Sequence, residues 1–418
     1  MKKKIKYMVA PLLLFVLLAG CAAKDDTITF SAEIEQVSEN SILVETIDFE
    51  EFDKASVDLG EAEYDFDLAV GQIVEVTIRP EIRESYPVQV TGVKLVLKGV
   101  AERKVSDYFP IQDNVKYVYE GMGNEFAGFT VTVDYSSGDK VQQRVDNGGT
   151  VLARVYEITD GALTRIFSMG EVYHRENMLM QRDDAEEIML MAPLEKGTTW
   201  TLDDGRQRTI TGMSAEVRTP LDTYATIEVI TEGPNGTTVD YYAKDIGLVK
   251  TIFRSGGIEV SSTLSDLEED VDRVETIRFY YPEMQEDKIF YKEKEVTYRT
   301  NDETSKILEE AYKSLAKENA GVVLSTDAAI KSLTLDKENK VRLDLNKAFL
   351  TDMNAGAAYE SMILQSIANT FGNYYNSEEV VLTIEGKPYA SGHIEMKEGE
   401  SLPVKLNGIT EKRESIDD

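Results

Sequence analysis

The chain has 418 residues, with 45 lysines and arginines against 76 aspartates and glutamates, a formal net charge of −31. An acidic excess of that size excludes nucleic acid and anionic lipid surfaces as partners, because both demand basic surface. The single cysteine excludes a disulfide framework, so packing alone must stabilise the about two to four domains this length allows.

The first element is a targeting segment. Lys2, Lys3, Lys4 and Lys6 form a basic start and Met8–Leu18 an apolar run, short of the about 20 residues a membrane-spanning helix needs. Residues 1–20 therefore read as a signal peptide. Leu18-Ala19-Gly20-Cys21 resembles the lipobox of bacterial lipoproteins. That resemblance implies cleavage before Cys21, a diacylglycerol on its sulfur and a short tether over 21–26. Two or three acyl chains, at about 0.8 kcal/mol per buried CH₂, make a stable anchor. The lipid bilayer is thus the first expected partner. The expected location is the extracytoplasmic face of a cell membrane, in a Gram-positive envelope.

Residues 27–102 read as short strands without helical period. Ile28-Phe30-Ala32-Ile34 alternates with polar residues, Ile42–Val44 follows a turn, and Ile73–Ile78 and Val88–Leu97 continue the pattern. This spacing predicts a small antiparallel barrel. Val70-Gly71-Gln72-Ile73-Val74-Glu75-Val76, with Glu84–Val90 after it, resembles an uncharacterised family of small, OB-like lipoprotein domains, which implies no activity.

Residues 107–266 also predict strands, at Val115–Gly121, Phe129–Tyr135, Val151–Thr159, Leu163–Ser168, Thr226–Thr231, Asp240–Ala243 and Leu248–Phe253. Turns such as Asp146-Asn147-Gly148-Gly149 separate them. Pro193–Trp200 and Tyr241–Lys250 resemble a recurrent β-rich envelope domain, implying one long, curved sheet. Trp200, the only tryptophan, is expected to be core packing. The acidic stretch 267–273 reads as a linker that its charges keep extended.

From Val274 to Gly408 the period changes. Ile277–Pro282 and Lys288–Arg299 predict strands, and Thr300-Asn301-Asp302-Glu303 has capping-box spacing. A helix follows with Ile307, Leu308, Ala311 and Leu315 on one face. Then come strands Ile330–Leu335 and Val341–Leu345, a helix over 355–371, and a strand and turn over 379–387. The order β-β-α-β-β-α-β predicts two helices on one face of a mixed sheet, an α+β sandwich. Residues 409–418 read as a disordered tail. The fold class is therefore multidomain: OB-like barrel, curved β sheet, α+β sandwich.

Four segments of this last region resemble the GerMN domain of sporulation and spore-germination lipoproteins. Val341-Arg342-Leu343-Asp344-Leu345-Asn346 before Phe349 is similar to its "vDLs-x-x-F" strand, and Ile367-Ala368-Asn369-Thr370-Phe371 to its "i-x-N-T-L" helix end. Val380–Lys387 is similar to its "V-x-i-x-v-x-G-K" strand and Gly392-His393-Ile394 to its closing "G-H-i-d". Phe371 stands where leucine is usual, and one such domain is present rather than a tandem pair. The resemblance implies a non-catalytic module for protein–protein assembly, with envelope proteins or further copies of itself as partners. Asn369 and Thr370, at a helix end, are expected to cap backbone groups. Gly386 and Gly392 read as turn positions that need unusual backbone angles, and His393 as a hydrogen-bonded structural residue.

The sequence carries no marked catalytic pattern. Its two histidines, His174 and His393, fall in different predicted domains, too few for a zinc set without cysteine. No Gly-x-Ser-x-Gly elbow and no phosphate-cradling glycine loop occurs. No cofactor and no metal is expected, and no enzymatic activity. The alternative reading is a carrier lipoprotein whose middle sheet holds a lipid or cell-wall fragment.

Overall fold

The computed structural model describes residues 26–318 and 321–412. Two compact units divide at Glu102 and Arg103. The first consists of β1 (Ile28–Val37), β2 (Ser41–Thr46), β3 (Lys54–Asp58), β4 (Gln72–Ile78) and β5 (Val88–Val100). These close into a barrel in the order β1-β2-β3-β5-β4, with β1 pairing both β2 and β4 and β3 parallel to β5. Phe30, Ala32 and Ile34 of β1 and Val74, Val76 and Ile78 of β4 are buried, as a two-residue period requires. At Gly92, where β5 crosses β3, a Cβ would stand 2.9 Å from the Asp58 carbonyl oxygen, so only glycine allows that approach. The closed five-strand barrel is the expected OB-like fold.

The second unit begins with twelve strands: β6 (Lys116–Met122), β7 (Phe129–Ser137), β8 (Lys140–Asp146), β9 (Val151–Ile158), β10 (Ala162–Gly170), β11 (Glu187–Met191), β12 (Thr199–Thr201), β13 (Gln207–Arg218), β14 (Thr223–Gly233), β15 (Gly236–Ala243), β16 (Gly247–Ser255) and β17 (Ile258–Glu268). They form one antiparallel sheet, two meanders joined where β6 pairs β17 with Tyr119 opposite Leu264. Its inner face buries Tyr117, Tyr119, Tyr156, Ile227, Val229 and Leu264. The sheet curls until its two edges meet. There Trp200 Nε1 donates to the Ile188 carbonyl at 3.0 Å, and the Arg208 guanidinium grips that carbonyl and Glu187. Side chains rather than a backbone ladder close this seam, and Trp200, 5% exposed, is core as expected.

The remaining elements are β18 (Arg273–Glu283), β19 (Lys288–Tyr298), α1 (Thr304–Ser314), β20 (Ile330–Leu335), β21 (Val341–Leu345), α2 (Ala348–Thr351), α3 (Ala357–Tyr375), β22 (Glu379–Ile384), β23 (Lys387–Pro388) and β24 (Leu402–Pro403). β20-β21-β22-β23 make a mixed sheet, with β24 on β22 and β21 parallel to β22. β18 and β19 stand apart as their own two-stranded sheet, where a place in the mixed sheet was expected. The reason is α3, which is apolar on more than one side. Its Ile363, Leu364, Ile367, Ala368 and Phe371 share one core with Phe279 and Tyr281 of β18 and with Val380 and Leu382 of β22. A single sheet covers only one side of such a helix, so the hairpin covers the other.

Three local expectations change. Residues 267–273 do not form an extended linker: β17 runs to Glu268 and β18 starts at Arg273, and Arg299 holds both Asp270 and Asp272. The acidic charges are thus drawn to a cation instead of repelling one another. Thr300 does not cap a helix; α1 starts later, after Glu303, because the Thr300 side chain is engaged by the large sheet. Of the tail 409–418, Thr410 accepts a hydrogen bond from Tyr291 N–H at 3.2 Å and Lys412 pairs with Glu283. Residues 413–418 lie outside the described residues.

Candidate interaction site in the C-terminal domain

The sequence-marked residues gather on α3 and the turns beside it. Thr370 is 1% exposed and sits inside α3, not at its end. Tyr280 N–H of β18 donates to Thr370 Oγ1 at 2.9 Å, Thr370 donates to Tyr312 Oη at 3.1 Å, and Tyr312 Oη returns to the Tyr280 carbonyl at 2.5 Å. This closed circuit satisfies both backbone groups of an edge strand that has no ladder partner on that side. Burial pushes the Tyr312 phenol well above its ordinary range, so it stays a donor at any physiological pH.

Asn369, fully buried, is also interior to the helix. Its Oδ1 accepts Lys405 N–H at 2.8 Å and Gln365 Nε2 at 2.9 Å, while Gln365 Nε2 reaches the Pro403 carbonyl at 2.8 Å. The pair straps the segment at β24 onto α3. Neither residue caps a helix end, because α3 runs on to Tyr375 and its C-cap is Asn376, left-handed at φ 53°.

Glu385 and Gly386 have φ of 51° and 75° and form the two-residue turn between β22 and β23, a geometry that requires positive φ at both positions. Gly386 N–H donates to Asp344 Oδ1 at 2.8 Å, tying the turn to β21. Gly392 has no positive φ. Its turn is made by Ser391, whose Oγ accepts the N–H groups of His393 and Ile394, both at 3.0 Å, and donates to the buried Glu360. His393 is exposed and, among the described residues, is held through its backbone N–H. Tyr389 donates to the same Glu360 at 2.7 Å; burial and that carboxylate raise its phenol. Cys21 lies outside the described residues.

Sequence reasoning missed the join between this domain and the large sheet. Arg175, 1% exposed, donates through Nη2 to the carbonyls of Asp134 at 2.7 Å and Arg299 at 2.9 Å. Its Nη1 reaches Tyr135 Oη at 2.9 Å, Thr304 Oγ1 at 3.0 Å and the Asp302 carbonyl. Its own N–H donates to Tyr374 Oη of α3 at 3.0 Å. Thr300 and Asn114 exchange two hydrogen bonds, at 2.8 and 2.9 Å, and Thr300 Oγ1 donates to the Val133 carbonyl at 2.9 Å. One guanidinium therefore joins the loop after β10, strand β7 and the start of α1.

Among the described residues no group of three or more His, Cys, Asp or Glu is placed to hold a metal. No described helix is long and apolar enough to cross a membrane. Inside the curled sheet, Phe109, Tyr119, Phe129 and Tyr156 line a cavity of about 70 Å³, well under the about 300–1,000 Å³ of small-molecule sites.

These elements define a β-rich chain ending in an α+β domain whose motif residues are spent on its own framework. Residues 278–390 match the Germane family, described as sporulation and spore germination, so the chain carries a GerMN-type domain there. Among solved structures, the chain is similar to a protein described as exported, with a YmcC-like fold, from Bacteroides fragilis. The identity is 14% over 38% of this chain and 98% of that one, with a TM-score of 0.25. A protein described as a lipoprotein from Parabacteroides distasonis gives the same identity, coverage and score. The tandem GerMN domains of the sporulation protein GerM from Bacillus subtilis match at 15% identity, over 31% of this chain and 46% of that one, with a TM-score of 0.23. Scores this low carry no structural argument. No curated protein matches the chain.

Proposed function

We propose that this protein is a lipid-anchored, extracytoplasmic assembly module of the cell envelope, which presents a GerMN-type domain to partner proteins and does no chemistry of its own. The observation that carries this reading is the Germane match over residues 278–390, together with motif residues that bond to the domain's own backbone. The segment ending at Cys21 supplies the anchor. The family description favours sporulation or germination as the occasion.

Two experiments test the reading. Cys21→Ser should leave the protein unprocessed or release it; a mature, membrane-bound variant contradicts the anchor. In-cell crosslinking followed by purification from membranes should return the same envelope proteins, or further copies of the chain, in every replicate. Reproducible recovery of nothing contradicts assembly. The carrier alternative needs the sheet to open at the Trp200–Arg208 seam, because the cavity inside it is too small for a lipid. Native mass spectrometry of the purified protein showing a bound lipid would favour it.

A further inference from the structure

The join between the large sheet and the C-terminal domain leaves a cavity of about 290 Å³. Its floor is the outer face of β6–β8 and its wall the start of β18; none of the GerMN motif residues lines it. Arg144 and Arg273 stand on it, with Thr130, Thr132 and Asp146 beside them. Register places Thr132 opposite Arg144 and Thr130 opposite Asp146. Arg144 and Asp146 therefore share one face of β8, about 7 Å apart along the strand.

The charges are unevenly matched. Among the described residues, three guanidiniums, of Arg144, Arg175 and Arg273, contact two carboxylates, Asp134 and Glu275, and Asp146, a carboxylate lining the cavity, contacts none of them. Arg144 and Arg273 are 5% and 19% exposed; Arg144 also donates to the Val172 and His174 carbonyls, so the surplus positive charge, poorly solvated, falls on the Arg273 side. Burial and the nearby Arg144 hold the Arg273 guanidinium below its ordinary range, with Asp134 only partly opposing. An anionic group in the cavity would offset that surplus.

A ligand of net negative charge, however, meets the repulsion of a chain at −31. Asp146 supplies the complement: it accepts Gly148 N–H at 2.8 Å and makes no ion pair among the described residues. The other charges at the rim are matched, Lys116 by Glu268 at 2.6 Å and Asp272 by Arg299 at 2.8 Å. We propose that this cavity binds a small zwitterion of the amino-acid or short-peptide class, its carboxylate on Arg273 and its ammonium toward Asp146. The proposal stands independently of the assembly reading.

The test is calorimetric titration of the full chain in detergent with glycine, 4-aminobutyrate and glycylglycine, and with acetate and methylamine as half-ligands. Binding of one zwitterion per chain is expected, with each half-ligand weaker by about tenfold or more. Asp146→Asn should weaken it by about tenfold and Arg273→Gln by more. Arg273→Gln also removes a contact to Asp134, so the exposed Asp146→Asn decides, with a melting curve to show that it is folded. The proposal is overturned by no saturable heat up to about 10 mM of any probe. Equal affinity in folded Asp146→Asn, or acetate as tight as the zwitterions, also overturns it.

Discussion

The inner face of the large sheet and its join to the GerMN-type domain are both buried, but they are built from opposite chemistry. The sheet interior is Tyr119, Ile227, Val229, Leu264 and their neighbours, held by apolar burial that is tolerant of direction. The join is Arg175, Asp134, Thr300 and Asn114, where each group has a directional partner and losing one strands the rest. Apolar packing would let the two bodies slide, whereas hydrogen bonds to fixed carbonyls hold one orientation. The comparison teaches that the GerMN-type domain is set at a fixed angle by polar contacts, while the bodies themselves are stabilised by apolar ones.

That contrast can be broken at either end. Arg175→Met leaves the carbonyls of Asp134, Arg299 and Asp302 without their donor, and should cost about 3–5 kcal/mol while uncoupling the two bodies. Ile227→Ala, at a fully buried position, should cost about 2–5 kcal/mol, lowering the midpoint of chemical denaturation with the bodies still coupled. Thr370→Val opens the circuit through Tyr280 and Tyr312 and should cost about 1–3 kcal/mol. Faster hydrogen exchange at the Tyr280 amide than elsewhere in β18 would locate that effect.

The smallest effect is electrostatic. Hydrogen bonds from Arg182 hold the Glu157 carboxyl below its ordinary range, and those from Lys292 and Lys294 do so for Glu318. A carboxyl depressed in the folded state binds fewer protons than in the unfolded chain. Its stabilisation is therefore present above the ordinary carboxylate range and lost as pH falls through and below it. Both groups are partly exposed, so salt should shrink this loss. Melting curves from neutral pH to about pH 3, at low and high salt, check the sign.

The parts legible in the sequence were those with a period. Phe30-Ala32-Ile34 and Val74-Val76-Ile78 announce their strands by alternation, and the GerMN resemblance rests on the residues that shape β21, α3 and the β22–β23 turn. β8 was missed because it buries Gln142 and Arg144 on its outer face, which makes a core strand look like a loop. Arg175 was missed because its partners are mostly backbone carbonyls, which leave no mark on a residue pattern, and Tyr173-His174-Arg175-Glu176 reads as surface. Thr300 misled through a capping-box spacing that the join overrides. Asn369 and Thr370 did carry a usable sign: two polar residues set between Ile367-Ala368 and Phe371 on an otherwise apolar helix demand buried partners. Those partners lie in β18, α1 and the segment at β24, too far along the chain for spacing to name them.

One measurement bears most directly on the claim that Arg175 locks the GerMN-type domain to the sheet. Trp200 is the only tryptophan and reports on the sheet, while α1, α2 and α3, all in the C-terminal domain, give a helical circular dichroism signal. Followed together through chemical denaturation, the two signals should change along one curve in the natural protein and separate into two curves in Arg175→Met. Coincident curves with an unchanged midpoint in Arg175→Met would contradict the account.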